Sequence, residues 1–323
     1  AGLRALIQVN GLEGKEINSY HIGFVIGPCI NASGRLDTAK KALDLLLCEN
    51  PAEATELAEE LLYLNNERKE LTLAGYEEAV YLIENSGLKR DKVLVVYLPK
   101  IHESIAGIIA GRIRERYYRP VFVLTDGERD VKGSGRSIEG YSMFEEMQKC
   151  DDLFLKYGGH PMAAGLSLKK ENVEALRERL NGLTTLTEEE LTEKIYIDVP
   201  MPIHYISEDL IGELELLEPF GTGNHKPVFA EKDLKVLGAR ILGANKNVIK
   251  LRVANDSGCT MDAMYFGDVE AFRSYVESRY GYAETEKRCQ NRQTNIRLSF
   301  IYYPQINEFR DTRSIQIVIG QYM

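Results

Sequence analysis

No stretch of the 323 residues stays apolar for the roughly 18–20 positions that a membrane-spanning helix needs. No membrane partner or anchor is therefore expected. Ala1-Gly2-Leu3-Arg4-Ala5 lacks the basic region, apolar run and small-residue cleavage site of a secretory signal. Cysteine is sparse: Cys29, Cys48, Cys150, Cys259 and Cys289 are odd in number, far apart and without a C-x-x-C pair. That argues against a disulfide framework or a zinc ribbon and suits a reducing, cytoplasmic location. Each is expected to be a small buried apolar side chain. Clustered metal ligands are missing too. Two-metal hydrolysis of a phosphodiester needs carboxylates and imidazoles around ions about 3.5–4 Å apart, yet there is no Asp-x-Asp, Asp-His-His or His-x-x-x-Asp. Asp151-Asp152 stands alone where a helix cap is expected. Neither catalytic residues nor metal ligands are expected in this chain.

The composition is that of an ordinary globular protein, 44% hydrophobic and 28% charged. At about 150 residues per domain, the length argues for two domains. Forty Lys plus Arg against 49 Asp plus Glu leave −9, a sign that speaks against a polyanion ligand. The charge is unevenly spread, however. Residues 1–36 carry +1, 37–86 carry −8, 87–182 carry +3, 183–232 carry −8 and 233–323 carry +3. The acid sits on connecting segments, and two mildly basic regions remain that permit nucleic-acid binding.

Residues 1–36 read as short helical and strand-like fragments. Asp37 is a good N-cap for a helix through Leu43, Leu46 and Leu47, and Asn50-Pro51 caps the next. From Pro51 to Glu84 there is no further proline, and Leu57, Leu61 and Leu64 form a narrow apolar stripe. That predicts a rod of about 50 Å, better suited to a strut between domains than to one core. A βαβ unit follows: a strand over 93–97, a helix over 104–116 with Ile105, Ile108, Ile109 and Ile113 inward, and a strand over 120–124. Glycine-rich turns are expected around Gly133 to Ser137 and Gly158-Gly159-His160, then a helix near 171–180 and a polar linker over 184–193. Beyond it, β-rich runs at 248–253, 260–266, 296–303 and 314–319, with turns at Gly243-Ala244-Asn245 and Asn255-Asp256-Ser257-Gly258, suggest a small barrel. Residues 279–295, with Lys287, Arg288 and Arg292, read as a long loop.

Phosphate chemistry is suggested at four places. In Lys132-Gly133-Ser134-Gly135-Arg136-Ser137, small residues would let backbone N–H groups approach an anion, with Ser134, Arg136 and Ser137 as side-chain donors. It is no P-loop, because no Gly-Lys-Ser/Thr follows at the required spacing. Gly158-Gly159-His160 repeats the theme, as does the stretch from Asn31 to Arg35. His102 lies between a strand end and the helix carrying Arg112, where α/β sheets place ligands. Taken singly, each has a bland reading as a turn, a surface arginine or a helix-entry residue.

Six stretches in order, IGPCINASGRLD (26–37), IHESIAGIIAGR (101–112), GSGRSIEGYSMFEEMQKC (133–150), KYGGHPMAAGLSL (156–168), LEPFGTGN (217–224) and PQINEFRDTRSIQIVI (304–319), carry a resemblance. The chain resembles the C-terminal two-thirds of the RecJ family, single-strand-specific 5′→3′ DNA exonucleases of the DHH phosphoesterase superfamily. The resemblance implies a multidomain α/β plus all-β fold. Its parts would be a remnant of the DHH domain (1–36), connecting helices (37–86), a DHH-associated domain with a mixed sheet (87–183), and a linker with an OB-like barrel (184–323). It also implies that Arg35, Ser134, Arg136, Gly159 and His160 line the pocket for a DNA 5′ end, and that the metal centre, Mn²⁺ or Mg²⁺, belongs to the DHH domain, whose motifs are absent here. Ser137, Gly158, Asn31, His102 and Arg112 complete the candidate set. Cys29 stands where the family usually has Arg, and Ile101 where it usually has Trp. The partner implied is single-stranded DNA, with a single-strand-binding protein and a repair helicase as further candidates, and the chain is expected to be a monomer. Phe300, Tyr302 and Tyr303 are candidates for base stacking, about half of them expected in the core. Two alternatives stand beside this reading: a self-standing, non-catalytic nucleic-acid-binding module, and a small-nucleotide phosphodiesterase of the same superfamily, which the barrel disfavours.

Overall fold

The computed structural model describes residues 1–243, 246–289, 295–309 and 312–323. The chain divides into two compact units, Ala1–Glu193 and Lys194–Met323.

The first unit begins with helices α1 (Gly2–Val9), α2 (Ser19–His21), α3 (Gly27–Leu36), α4 (Ala39–Leu47) and α5 (Pro51–Glu84), with a π-helical stretch Ile22–Ile26 leading into α3. No strand forms in the first 36 residues, contrary to the strand-like fragments expected there. Thr38 rather than Asp37 caps α4, accepting from the Lys40 N–H, while Asp37 pairs with Lys41 at 2.6 Å. Leu43, Leu46 and Leu47 are exposed, and Ala42 and Leu45 turn inward instead. Asn50 caps α5 and Pro51 occupies its first turn, where a missing N–H costs nothing.

The long helix α5 is more than a strut. Ala54, Ala58, Leu61 and Leu64 belong to one core, with α1, α3 and α4. Ala79 and Ile83 belong to a second. Its inward face looked narrow because much of it is Ala, Gly and Thr. At Gly75 a Cβ would stand 2.6 Å from Ile109 Cδ1, so glycine permits the close approach of a neighbouring helix.

The mixed sheet comprises β1 (Leu94–Tyr97), β2 (Val121–Asp126), β3 (Val131–Arg136), β4 (Phe154–His160) and β5 (Ala163–Leu168), in the order β1-β2-β3-β5-β4. Strands β1 and β2 are parallel, joined by α6 (Glu103–Tyr117); the other pairings are antiparallel. On one face Leu94, Val96, Val121 and Val123 meet α6 and the end of α5. On the other, Phe122, Leu124, Leu166 and Leu168 meet α7 (Met143–Gln148) and α8 (Val173–Leu183). Ile108 is only half-buried, unlike Ile105, Ile109 and Ile113.

The two glycine-rich segments expected as turns are strands β3 and β4. The glycines of β3 alternate with Lys132, Ser134 and Arg136, as period-two geometry requires. A Cβ at Gly133 would meet Leu124 Cδ2 at 2.4 Å, and one at Gly135 would meet Met143 Sδ at 2.7 Å. These glycines make room for the core rather than for an anion. The 184–193 stretch packs on this unit: Leu186 is buried and its carbonyl accepts from Lys92 Nζ at 2.5 Å.

The second unit carries β6 (Val199–Pro200), α9 (Glu208–Glu215), β7 (Phe229–Leu242), β8 (Val248–Ala254), β9 (Thr260–Tyr265), α10 (Val269–Tyr280), α11 (Tyr282–Cys289), β10 (Arg297–Phe309) and β11 (Thr312–Tyr322). Pairings β7-β8-β9-β11-β10 close on themselves through β10 and β7, giving a five-stranded OB-type barrel with β9 and β11 parallel. Ile249, Leu251, Val253, Ala263, Leu298, Phe300 and Ile317 fill it. The long loop expected over 279–295 is helical through Cys289, and positions 290–294, including Arg292, lie outside the described residues. So do Ala244 and Asn245 of one expected turn. Phe300 and Tyr302 are core, the Tyr302 hydroxyl donating to the Met201 carbonyl. Tyr303 is half-buried, with Lys226 Nζ 3.7 Å from its ring centroid. Among the described residues no helix is long and apolar enough to cross a membrane.

Candidate phosphate-binding site

The site of the first unit lies where α6 ends its cover of the sheet. In register across three strands, Arg136, Ala163 and His160 form one row, and Ser134, Gly165 and Gly158 the next. Directly opposed residues point to the same face, so these side chains share the face that α6 covers only over β1, β2 and part of β3. Nothing lies within 4 Å of where a Cβ would stand at Gly158 or Gly165. Together with Ala163 they make an open floor on which a ligand can approach the backbone closely. A third row, Lys132, Ser167 and Lys156, extends the face.

Arginines wall this floor. Arg136 lies along α6 against Gly107, where a Cβ would come within 2.9 Å of its Nη2, and its Nη1 donates to the Gly135 carbonyl at 2.7 Å. Arg35, at the end of α3, donates through Nη1 to the Ser104 carbonyl in the first turn of α6 at 2.7 Å. Ser104 and Gly107 stand one turn apart, so α6 seats both guanidinium groups side by side. Burial and the nearby charges of Arg35 and Arg114 lower the Arg136 pKa below the ordinary arginine value. Among the described residues, neither Arg35 nor Arg136 forms an ion pair with a carboxylate. Half-buried, mutually repelling cations without carboxylate partners are an arrangement that an anion would stabilise.

The other candidates divide. His160 is exposed on edge strand β4, two strands from Arg136, or about 10 Å at the usual spacing. At Gly159, φ is +156° and a Cβ would meet the Ala163 carbonyl at 2.4 Å, so glycine is required for the strand to pair there. Asn31 is exposed one turn before Arg35 on α3, and Arg112 is exposed on α6. His102 caps α6, its Nδ1 accepting from the Ser104 N–H at 3.3 Å, which accounts for its place without a ligand. Ser137, expected as a donor to phosphate, is buried and gives its hydroxyl to the Tyr141 carbonyl at 2.6 Å. Cys29 is fully buried and accepts from Asn65 Nδ2 at 3.4 Å, facing the helical core rather than the site. Burial raises its thiol pKa. Ile101, the other departure, is half-buried and packs over Gly75.

Sequence reasoning missed Gly107, Gly165 and Lys156, and named Lys132 only as the start of its motif. The alternation of Val131-Lys132-Gly133-Ser134-Gly135-Arg136 was the available signal for a strand. Reading the glycines as turn formers hid it.

On the barrel, a groove of about 590 Å³ is lined by Arg240, Lys250, Arg252 and Asp262, among others. Asp262 pairs with Lys250 and Arg252, each at 2.8 Å. Burial alone would raise the Asp262 pKa, but hydrogen bonds from these two cations outweigh it and hold the carboxyl below its usual range. Among the described residues no group of three His, Cys, Asp or Glu side chains is arranged to hold a metal ion.

An α/β unit with an anion seat, followed by an OB-type barrel, is the architecture of a DHH-associated domain joined to an oligonucleotide-binding fold. Residues 90–185 match the DHHA1 domain family and 197–321 the RecJ OB domain family. The single-stranded-DNA-specific exonuclease RecJ of Bacillus subtilis is 34% identical over 98% of this chain and 38% of its own length. That of Escherichia coli is 32% identical over 98% of this chain and 54% of its own. The crystal structure of RecJ with Mg²⁺ from Thermus thermophilus superposes with a TM-score of 0.79 at 26% identity, over 99% of this chain and 46% of that one. The chain belongs to the RecJ family. It spans about half the length, or less, of the relatives it matches.

Proposed function

We propose that the chain is the C-terminal part of a single-strand-specific 5′→3′ DNA exonuclease of recombination and repair, and that it supplies the binding of single-stranded DNA and of its 5′-phosphate. The observation that carries this is the pairing of uncompensated Arg35 and Arg136 with an open floor of Gly158, Ala163 and Gly165. Ser134 and His160 flank that floor and donate to phosphate oxygens. Small residues let the sugar-phosphate backbone lie close, and planar guanidinium forks match phosphate geometry. The barrel supplies a second contact for single-stranded DNA by its outer β8–β9 face.

Related RecJ structures hold Mg²⁺ or Mn²⁺, and such an ion supplies an activated water and charge neutralisation for phosphodiester hydrolysis. The described residues do not fit it, since they bring no three ligands together, and no step through a metal is assigned to them. The chain alone is accordingly expected to bind without cleaving. Cytoplasmic location, a monomeric state, the domain limits 1–36, 37–86, 87–183 and 184–323, and docking of a single-strand-binding protein or a repair helicase belong to the same proposal.

The test is binding of oligothymidylate of about ten nucleotides, with and without a 5′-phosphate, across a salt series. Affinity is expected to fall steeply with salt and to favour the phosphorylated end. A flat salt response, or indifference to the 5′-phosphate, would overturn the proposal.

A further inference from the structure

Between the two cores that α5 joins, its inward stripe turns polar. Asn65, Arg68, Thr72 and Gly75 recur at helical spacing, after Leu64 of one core and before Ala79 of the other. Asn65 and Thr72 are buried, 2% and 0% exposed, and among the described residues the Thr72 hydroxyl has no hydrogen-bond partner. Burying such groups costs stability unless something holds them there. Asn65 has a clear task. Its Oδ1 accepts from Arg68 twice, from Nη2 at 2.9 Å and from Nε at 3.3 Å, while its Nδ2 donates to Cys29 Sγ at 3.4 Å. The fully buried Cys29 and Asn65 thus set the direction of one half-buried guanidinium.

Arg68 is a poor choice for structure alone. A long cationic side chain ordinarily carries its head to water or meets a carboxylate. Here a neutral amide holds it, and among the described residues it forms no ion pair. Burial, then the charges of Arg35 and Arg112, lower its pKa. The packing puts it beside the site already described: Asn65, which holds it, bonds to Cys29 on α3, the helix that ends in Arg35, and two turns further along α5 Gly75 packs against Ile101 and Ile109 at α6, whose first turn accepts from Arg35.

We infer that Arg68 is a further phosphate-contacting residue, neutralising a DNA phosphate beside the one held by Arg35 and Arg136, and that Asn65 is its positioning residue. This rests on the reading of the site as a seat for single-stranded DNA. It also gives a role to the connecting helix: phosphate bound at Arg68 ties α5 to the α6 end of the sheet.

The experiment compares the unaltered chain with Arg68→Gln, Arg68→Lys, Asn65→Leu and Arg136→Ala, using 5′-phosphorylated oligothymidylate in a salt series and thermal unfolding as the check on folding. Arg68→Gln is expected to bind about tenfold more weakly or worse, with a salt slope shallower by about 0.7 for the lost contact. Arg68→Lys keeps the slope and loses several-fold in affinity, because an ammonium cannot fork onto Asn65. Asn65→Leu loses several-fold although Arg68 remains. A purely structural Arg68 would change unfolding and leave the slope alone. If Arg68→Gln keeps the unaltered affinity and slope while Arg136→Ala is weakened, the inference falls and the reading of the site stands. If Arg68→Gln does not fold, unchanged affinity in both Arg68→Lys and Asn65→Leu overturns it. If the unaltered chain shows no salt-dependent binding, the reading beneath it falls as well.

Discussion

The two basic surfaces differ in how their charges are met. On β8 and β9, Lys250 and Arg252 share Asp262, and Arg252 also donates to Thr260 at 2.6 Å. Around α6, Arg35 and Arg136 face other arginines and backbone carbonyls, without a carboxylate partner among the described residues. In the first arrangement both cations share a carboxylate partner, and in the second neither has one among the described residues. A basic surface is therefore better judged by which cations lack partners than by how many there are. A +3 balance in each of residues 87–182 and 233–323 concealed this difference.

The comparison breaks most easily at the unpaired end. Arg35→Ala or Arg136→Ala should weaken binding of 5′-phosphorylated single-stranded DNA by about 1–3 kcal/mol, a loss of roughly fivefold to 150-fold. Fluorescence anisotropy would measure it, and equal affinity in both variants would remove them from the site. Asp262→Asn works in the opposite direction. By freeing Lys250 and Arg252 it should raise affinity for unphosphorylated single strands by about two- to fivefold and steepen the salt slope. An unchanged slope would show that these cations stay off the DNA.

A smaller effect is expected from inorganic phosphate. Because the arginine seat is incomplete without an anion, tens of millimolar phosphate should raise the midpoint of thermal unfolding by about 1–3 °C through binding to the folded state. Arg136→Ala should lose most of that gain in a calorimetric scan. The least effect is on pH. The folded Asp262 pKa lies below its unfolded value, so its stabilisation is complete above the ordinary carboxylate range and is lost as pH falls through the folded value. The urea midpoint should therefore fall more on acidification in the unaltered chain than in Asp262→Asn. Among the described residues Arg35 and Arg136 have no carboxylate partner to titrate, and their contribution to binding an internal phosphodiester, which stays singly charged, should be flat over the same range.

Much of the fold was legible because local rules agreed with it. Asn50-Pro51 announced the start of α5, and the apolar runs of β1 and β2 framed α6. The barrel strands showed their alternation, apart from β7. Glycine was the main source of error. In β3 it serves packing against Leu124 and Met143, which are remote in sequence, so no local rule separates it from turn glycine. Ser137 failed for a related reason: a hydroxyl beside an arginine looks like a phosphate donor until its burial against Tyr141 is known. Arg68 went unnoticed on a polar helix, because only packing shows which of its charged residues turn inward.

By itself, the sequence determined most of the element types outside the glycine-rich strands and the helix over 282–289, the family resemblance and the residue kinds available for phosphate. Those follow from periodicity, capping and ordered motifs, all short-range properties of the chain. The tertiary structure decided which cations remain without partners and which glycines leave space. Partnering and space depend on what other segments bring near. Lys250 lies 12 residues from the carboxylate that neutralises it, whereas Arg35 lies 69 residues from the carbonyl that seats it.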